Sequence, residues 1–91
     1  MEKSDLILEL SRRTGMTRKE SAAAVNTALD IIVESLKQGE KVRLIGFGSF
    51  LVKHRPGRWL RNPATNEKIF SSAKRVVTFH AARSMQDALA E

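Results

Sequence analysis

The sequence predicts an α+β fold in which two helices precede a three-stranded antiparallel sheet, a long β-ribbon projects from that sheet, and a short helix closes the chain. Three observations predict it. Apolar residues recur at helical spacing as far as Gly39, strict alternation replaces that spacing from Lys41, and a cationic segment of turn and strand composition separates the second strand from the third.

The chain has 91 residues, 42% hydrophobic and 29% charged, which is room for one small domain. No run approaches the roughly 18 to 20 consecutive apolar residues of a membrane span, and the start Met-Glu-Lys-Ser lacks the apolar block of a secretory signal. A cytoplasmic protein with no membrane partner is therefore expected. With no cysteine there is neither a disulfide framework nor a thiolate metal site. So short a chain must be held by packing, and a partner subunit is one way to supply more of it.

The first helix is expected from about Lys3 to Thr14, with Leu6, Ile7 and Leu10 at helical spacing, Arg12 and Arg13 complementing the dipole of the last turn, and Gly15 as the stop. Thr17-Arg18-Lys19-Glu20 announces the second helix as a capping box, in which hydroxyl and carboxylate each satisfy an otherwise unpaired backbone N–H. Val25, Leu29, Ile32 and Leu36 then repeat at steps of four, three and four, widened by Ala22, Ala28 and Val33, until Lys37 and Gly39 end the helix. So broad a stripe is covered either by the sheet of the same chain or by the same helix in a second copy.

Beyond Gly39, Val42 and Leu44 face one way while Lys41 and Arg43 face the other, as in a half-buried strand. Gly46-Phe47-Gly48 turns the chain, and Phe50 and Val52 resume the alternation to complete a hairpin with inward aromatics. Val76-Val77-Thr78-Phe79 has the composition of a third strand. Arg83 to Ala90, with Met85, Ala88 and Leu89 on one face, reads as the closing helix.

Charge locates the function. The net charge is +6 and the pI near 10.3, but residues 1–40 carry six cations and seven anions, whereas residues 41–83 carry ten cations and only Glu67 as an anion. A nearly neutral scaffold joined to a strongly cationic half suits a polyanionic partner, of which nucleic acid is the commonest. Lys53 to Lys74 holds six of those cations and both prolines, and is too long for an ordinary loop. Asn62-Pro63-Ala64-Thr65-Asn66 has turn composition and divides it into two extended halves, which would form a projecting ribbon. Ten residues at about 3.3 Å each reach about 33 Å, enough to follow a groove around much of a duplex.

Arg55, Arg58 and Arg61 are not separated by two, so a regular strand would put Arg58 on the opposite face from the other pair unless Pro56 and Gly57 form a bulge. Arginine suits a narrow minor groove, where negative potential is deepest. Pro63 at the tip is a stiff apolar wedge that would unstack two base pairs, the cost being recovered as the bent duplex meets more cationic surface. Trp59 would either stack against DNA or pack across the ribbon.

Gly46-Phe47-Gly48-Ser49-Phe50, Arg61-Asn62-Pro63-Ala64-Thr65 and the Val-Val-Thr-Phe strand together resemble the bacterial histone-like HU and integration host factor family, over essentially the whole chain. The resemblance implies an intertwined homodimer, or a heterodimer with a paralogue, whose helical body lies beneath a saddle of strands with two arms that embrace double-stranded DNA through the minor groove. It maps the intercalating proline onto Pro63 and the arm arginines onto Arg55, Arg58 and Arg61. Lys3, Lys74, Arg75 and Arg83 look similar to the family's phosphate-contacting positions on the body. Gly46, Lys53 and Asn62 complete the expected DNA-contacting set, and Val25, Leu29, Ile32, Leu36, Phe47, Phe50 and Phe79 the expected dimer interface. On this reading residues 1–91 form one domain, with a helical dimerisation region at 1–40, the sheet at 41–82 with its arm at about 53–74, and the last helix at 83–91. The chain departs from the family pattern at Trp59 and Leu60 before Arg-Asn-Pro, at Asn66 in place of a turn glycine, and at Gln86 in the last helix.

A helix-turn-helix reading of the first two helices fails on charge, since residues 17–38 balance to zero and their apolar stripe belongs to a scaffold. An enzyme finds little support, with His54 and His80 the only histidines and no nucleophilic cysteine, phosphate-cradling glycine loop or metal-ligand cluster in the sequence. RNA is the nearer rival, although a single-strand reader wants several exposed aromatics and the arm has Trp59 and Phe70. The sequence thus leads to a non-enzymatic architectural protein of the bacterial nucleoid, free of cofactor and small-molecule substrate, that bends DNA with weak sequence preference. A site-specific bending subunit is the rival within the family.

Overall fold

A computed structural model describes residues 1–90, so the expected end of the last helix at Glu91 lies outside the described residues. The chain divides into two compact units, residues 1–35 and the remainder from Leu36.

The first unit consists of helix α1, Lys3–Thr14, and most of helix α2, Arg18–Lys37. Local chemistry sets both starts. The Glu2 N–H donates to Asp5 Oδ2 at 2.7 Å; at α2, the Thr17 N–H donates to Glu20 Oε1 at 3.0 Å while the Glu20 N–H donates to Thr17 Oγ1 at 3.1 Å. The predicted capping box is therefore present in both directions. The charged Glu20 carboxylate is favoured first by the Thr17 backbone N–H that it accepts and second by the neighbouring Thr17 hydroxyl, which together hold Glu20 below the usual glutamate value. Gly15 ends α1 in the left-handed conformation at φ 75°, its N–H donating to the Ser11 carbonyl at 3.0 Å.

The core of the isolated chain is very small. Among the described residues Val25 is the one hydrophobic side chain classed as buried, at 8% exposure, beside a fully buried Ser21. Ile32 and Leu36 are half-buried, while Leu29, Ile31 and Val33 remain exposed on α2.

The second unit contains strands β1 (Val42–Leu44), β2 (Gly48–Arg55), β3 (Arg58–Arg61), β4 (Lys68–Ser71) and β5 (Lys74–Ala81), then helix α3 (Arg83–Leu89). β1, β2 and β5 form the antiparallel three-stranded sheet, in that order, and β3 and β4 form a separate two-stranded sheet. Val42 pairs with Phe50 and Phe50 with Phe79, making one row across the sheet, with the Phe50 and Phe79 ring centroids 4.9 Å apart. Phe47 adds a third ring 5.6 Å from Phe79.

The hairpin turn occupies Ile45–Phe47, one residue earlier than the sequence reading placed it. Gly46 supplies the positive φ of 83° and the Phe47 N–H donates to the Leu44 carbonyl at 3.0 Å, which frees Gly48 to enter β2. The last helix is anchored to this turn by the Ala82 N–H on the Phe47 carbonyl, 2.9 Å, and by Ser84 Oγ on the Gly46 carbonyl, 3.1 Å.

Candidate nucleic-acid interface

The ribbon expected between the second and third strands of the sheet is formed by β3 and β4. Pairing in the main sheet ends at Arg55 with Lys74 and resumes at Arg58 with Ser71, continuing through Trp59 with Phe70 and Leu60 with Ile69 to Arg61 with Lys68. Pro56 and Gly57 on one side face Ser72 and Ala73 on the other, so the register passes through the interruption with no residue gained. A bulge at Pro56-Gly57, which the sequence left open, is therefore absent. Proline lacks the ladder donor, which accounts for a break, but a matching two-residue break on the returning strand keeps the count equal.

The tip is organised by Asn62. Its side-chain oxygen accepts the Ala64 N–H at 2.9 Å, its carbonyl accepts the Asn66 N–H at 2.7 Å, and its own N–H donates to the Glu67 carbonyl at 2.8 Å. Asn66 takes the left-handed conformation at φ 62°, as its short amide side chain allows. Pro63 is held exposed in the turn between these two asparagines.

Within β3, alternation sends Arg58 and Arg61 to opposite faces. Arg55 and Arg58 nonetheless meet at the root of the ribbon, where with Lys74, Pro56, Leu60, Ser71 and Ser72 they line a cavity of about 300 Å³. Arg61 shares the other face with Trp59, Lys68 and Phe70, and Trp59, Leu60, Arg61 and Lys68 line a second cavity of about 400 Å³. Trp59 and Phe70 pack as a tilted pair with centroids 5.2 Å apart.

The remaining candidates are dispersed. Lys53 is exposed on β2 opposite Val76, and Gly46 sits at the hairpin turn. Lys3 lies in the first unit, where its Nζ donates to Asn26 Oδ1 at 2.9 Å. Arg75 donates through Nη1 to the Lys37 carbonyl at 2.9 Å and so caps the C-terminal end of α2. Arg83 approaches Asp87 at 4.0 Å, on the surface of α3. Gln86, the departure in the last helix, donates to the Ala81 carbonyl at 3.4 Å.

The electrostatic picture is lopsided. Every ion pair among the described residues lies on a helix: Glu9 with Arg12 and Arg13 on α1, and Arg83 with Asp87 on α3. Arg55, Arg58, Arg61, Lys68 and Lys74 thus stand on or beside the ribbon without an acidic partner. Such a surface has uncompensated positive potential and suits a partner carrying closely spaced negative charge. Lys68 escaped the sequence reading, because the Asn62–Asn66 turn counted outward would set Arg61 opposite Glu67; in the structure Asn62 bonds to Glu67 and Arg61 pairs with Lys68. Among the described residues no group of three His, Cys, Asp or Glu side chains is placed to hold a metal ion, and no helix is long and apolar enough to cross a membrane.

A family model described as bacterial DNA-binding protein matches residues 1–90. The DNA-binding protein HU-1 of Halalkalibacterium halodurans is 44% identical, with 98% of this chain and 99% of that one aligned. The integration host factor subunit alpha of an Anaeromyxobacter species is 40% identical over 98% of this chain and 90% of its own length. Among solved structures, the Anabaena HU–DNA cocrystal is similar with a TM-score of 0.89 at 38% identity, covering 99% of this chain and 98% of that one.

Proposed function

This chain belongs to the bacterial DNA-binding protein family of HU and integration host factor, and from that premise we propose that it is a dimeric, non-enzymatic protein that bends double-stranded DNA in the bacterial nucleoid. The observation that carries the reading is the ribbon: a two-stranded projection whose cations have no acidic partners among the described residues and whose tip presents an exposed proline. Arg55, Arg58, Arg61 and Asn62 line the minor groove, Pro63 enters a base step, and Lys53 and Lys74 meet phosphates at the root. Lys3, Gly46, Arg75 and Arg83 extend the track over the body, with Arg75 also holding the end of α2.

Dimerisation supplies the missing core. With one hydrophobic side chain buried among the described residues and Leu29, Phe47 and Phe79 exposed, much apolar surface is left in water, and a second copy covers it most economically. Ile32, Leu36 and Phe50 complete that interface, whereas Val25, expected there, is already covered within the single chain. The whole chain acts as one domain, residues 1–40 pairing the subunits, 41–82 carrying the sheet and arm, and 83–91 closing it.

Affinity arises from counterion release by the cationic track, and selectivity from the lower cost of deforming nicked or prebent duplex. The test is binding to linear, nicked and four-way DNA at fixed salt, with the mass of the complex measured. Tighter binding to nicked and four-way DNA by a dimer, across unrelated sequences, supports the reading. Strong preference for one linear sequence favours instead a site-specific bending subunit, the reading to which likeness to integration host factor subunit alpha lends weight.

A further inference from the structure

The aromatic pair on the arm is only partly accounted for by its own packing. Trp59 and Phe70 face each other across β3 and β4, yet Trp59 keeps 69% and Phe70 53% of its surface exposed. Alternation puts Arg61 and Lys68 on the same face, two residues nearer the tip and directly paired with one another. The opposite face carries Leu60 and Ile69, so the ribbon is apolar on both sides, and its sheet pairs with no other strand. A second copy of the same face would bring Arg61 and Lys68 against their own counterparts, which like charge opposes. A flat π-surface bordered by two cations without acidic partners is instead complementary to a nucleobase and its flanking phosphates.

We propose that this face is a base-stacking site, in which an unpaired nucleobase lies on the Trp59 indole beside Arg61 and Lys68, over the cavity that these three residues help line, while neighbouring phosphates meet the two cations. The inference rests on the DNA-binding reading of the arm and adds a second point of engagement to it. Trp59 precedes Pro63 by four residues, so at about 3.3 Å per residue the stacked base lies about 13 Å from the tip. That distance is roughly four nucleotide steps of about 3.4 Å. Phe70 acts as the positioning residue, since its ring buttresses the indole from the neighbouring strand.

Trp59 is the only tryptophan in the chain, so its emission reports on the site directly. The experiment titrates the full-length protein with a continuous duplex and with the same duplex carrying a two-nucleotide gap whose exposed template bases are thymines. Strong quenching by the gapped duplex and little by the continuous one is expected. Trp59→Ala should weaken binding to the gapped duplex by about tenfold, in line with the loss of one stacked base, and leave continuous duplex within about twofold. Trp59→Phe should retain most of the preference. Equal losses on both DNAs, unchanged emission, or a shift in oligomeric state on Trp59→Ala would overturn the stacking site. If instead the unaltered protein ignores continuous duplex altogether, the failure belongs to the DNA-bending reading.

Discussion

The Phe79 ring lies across Gly48 so closely that a β-carbon there would stand 2.5 Å from Phe79 Cζ and 2.6 Å from the His80 carbonyl oxygen. The absence of a side chain at Gly48 is thus what lets Phe79 close over the start of β2 and join the Phe47 and Phe50 rings. Gly48→Ala must move both a ring and a strand backbone. It should cost about 1–3 kcal/mol, which thermal unfolding would register as about 4–8 °C per kcal/mol in a domain of this size. An unchanged midpoint would show that the ring can move aside freely.

Pro63 occupies an exposed turn stiffened by three hydrogen bonds through Asn62. Pro63→Ala keeps the turn but removes the wedge. Energy transfer across an end-labelled duplex should show a bend reduced by about 20° or more per arm, while affinity falls by less than about tenfold. An unaltered bend angle would place the kink elsewhere.

Arg58 and Arg61 leave opposite faces of β3, so both touching phosphate requires the ribbon to sit within a groove with charge on either wall. Replacing both with alanine should reduce the slope of log affinity against log salt by about 1.8, from about 0.9 per lost phosphate contact. If only one face meets DNA, the two single variants will differ and the slope will fall by about half as much.

Glu20 gives α2 a pH-dependent start. Its native value is lowered by the Thr17 N–H and hydroxyl, so its contribution to stability is fully present above the ordinary glutamate value of about 4.3 and lost as pH falls through the lowered native one. Glu20→Gln should therefore flatten the acid limb of a stability–pH curve below about pH 4.3. Circular dichroism at 222 nm would follow it, and an acid limb identical to that of the unaltered protein would deny Glu20 this role.

Features governed by neighbouring residues were legible in the sequence. The bounds of α1 and the Thr17–Glu20 box follow from caps within four residues, and the Asn62–Asn66 turn from its composition. The cationic candidates were legible because charge needs no geometry to be counted. What stayed hidden depends on distant strands. Whether Pro56-Gly57 bulges is decided by Ser72 and Ala73, which break pairing at the same level on the returning strand. Arg75 reads as one more cation until the fold brings it to the Lys37 carbonyl, 38 residues away in sequence. The sequence reading sets the hairpin turn one residue late because Gly46 and Gly48 are equivalent in composition; the fold distinguishes them by the positive φ of Gly46 and the crowding of Phe79 on Gly48.

The paired breaks at Pro56-Gly57 and Ser72-Ala73 separate the three-stranded sheet from the ribbon without changing the register. Trp59, Arg61 and Lys68 therefore keep their mutual spacing through the β3–β4 ladder alone, with no strand of the larger sheet paired alongside. The order of side chains along the ribbon is thereby set by two short strands, and a slip of one residue between them would part Trp59 from Phe70 and Arg61 from Lys68.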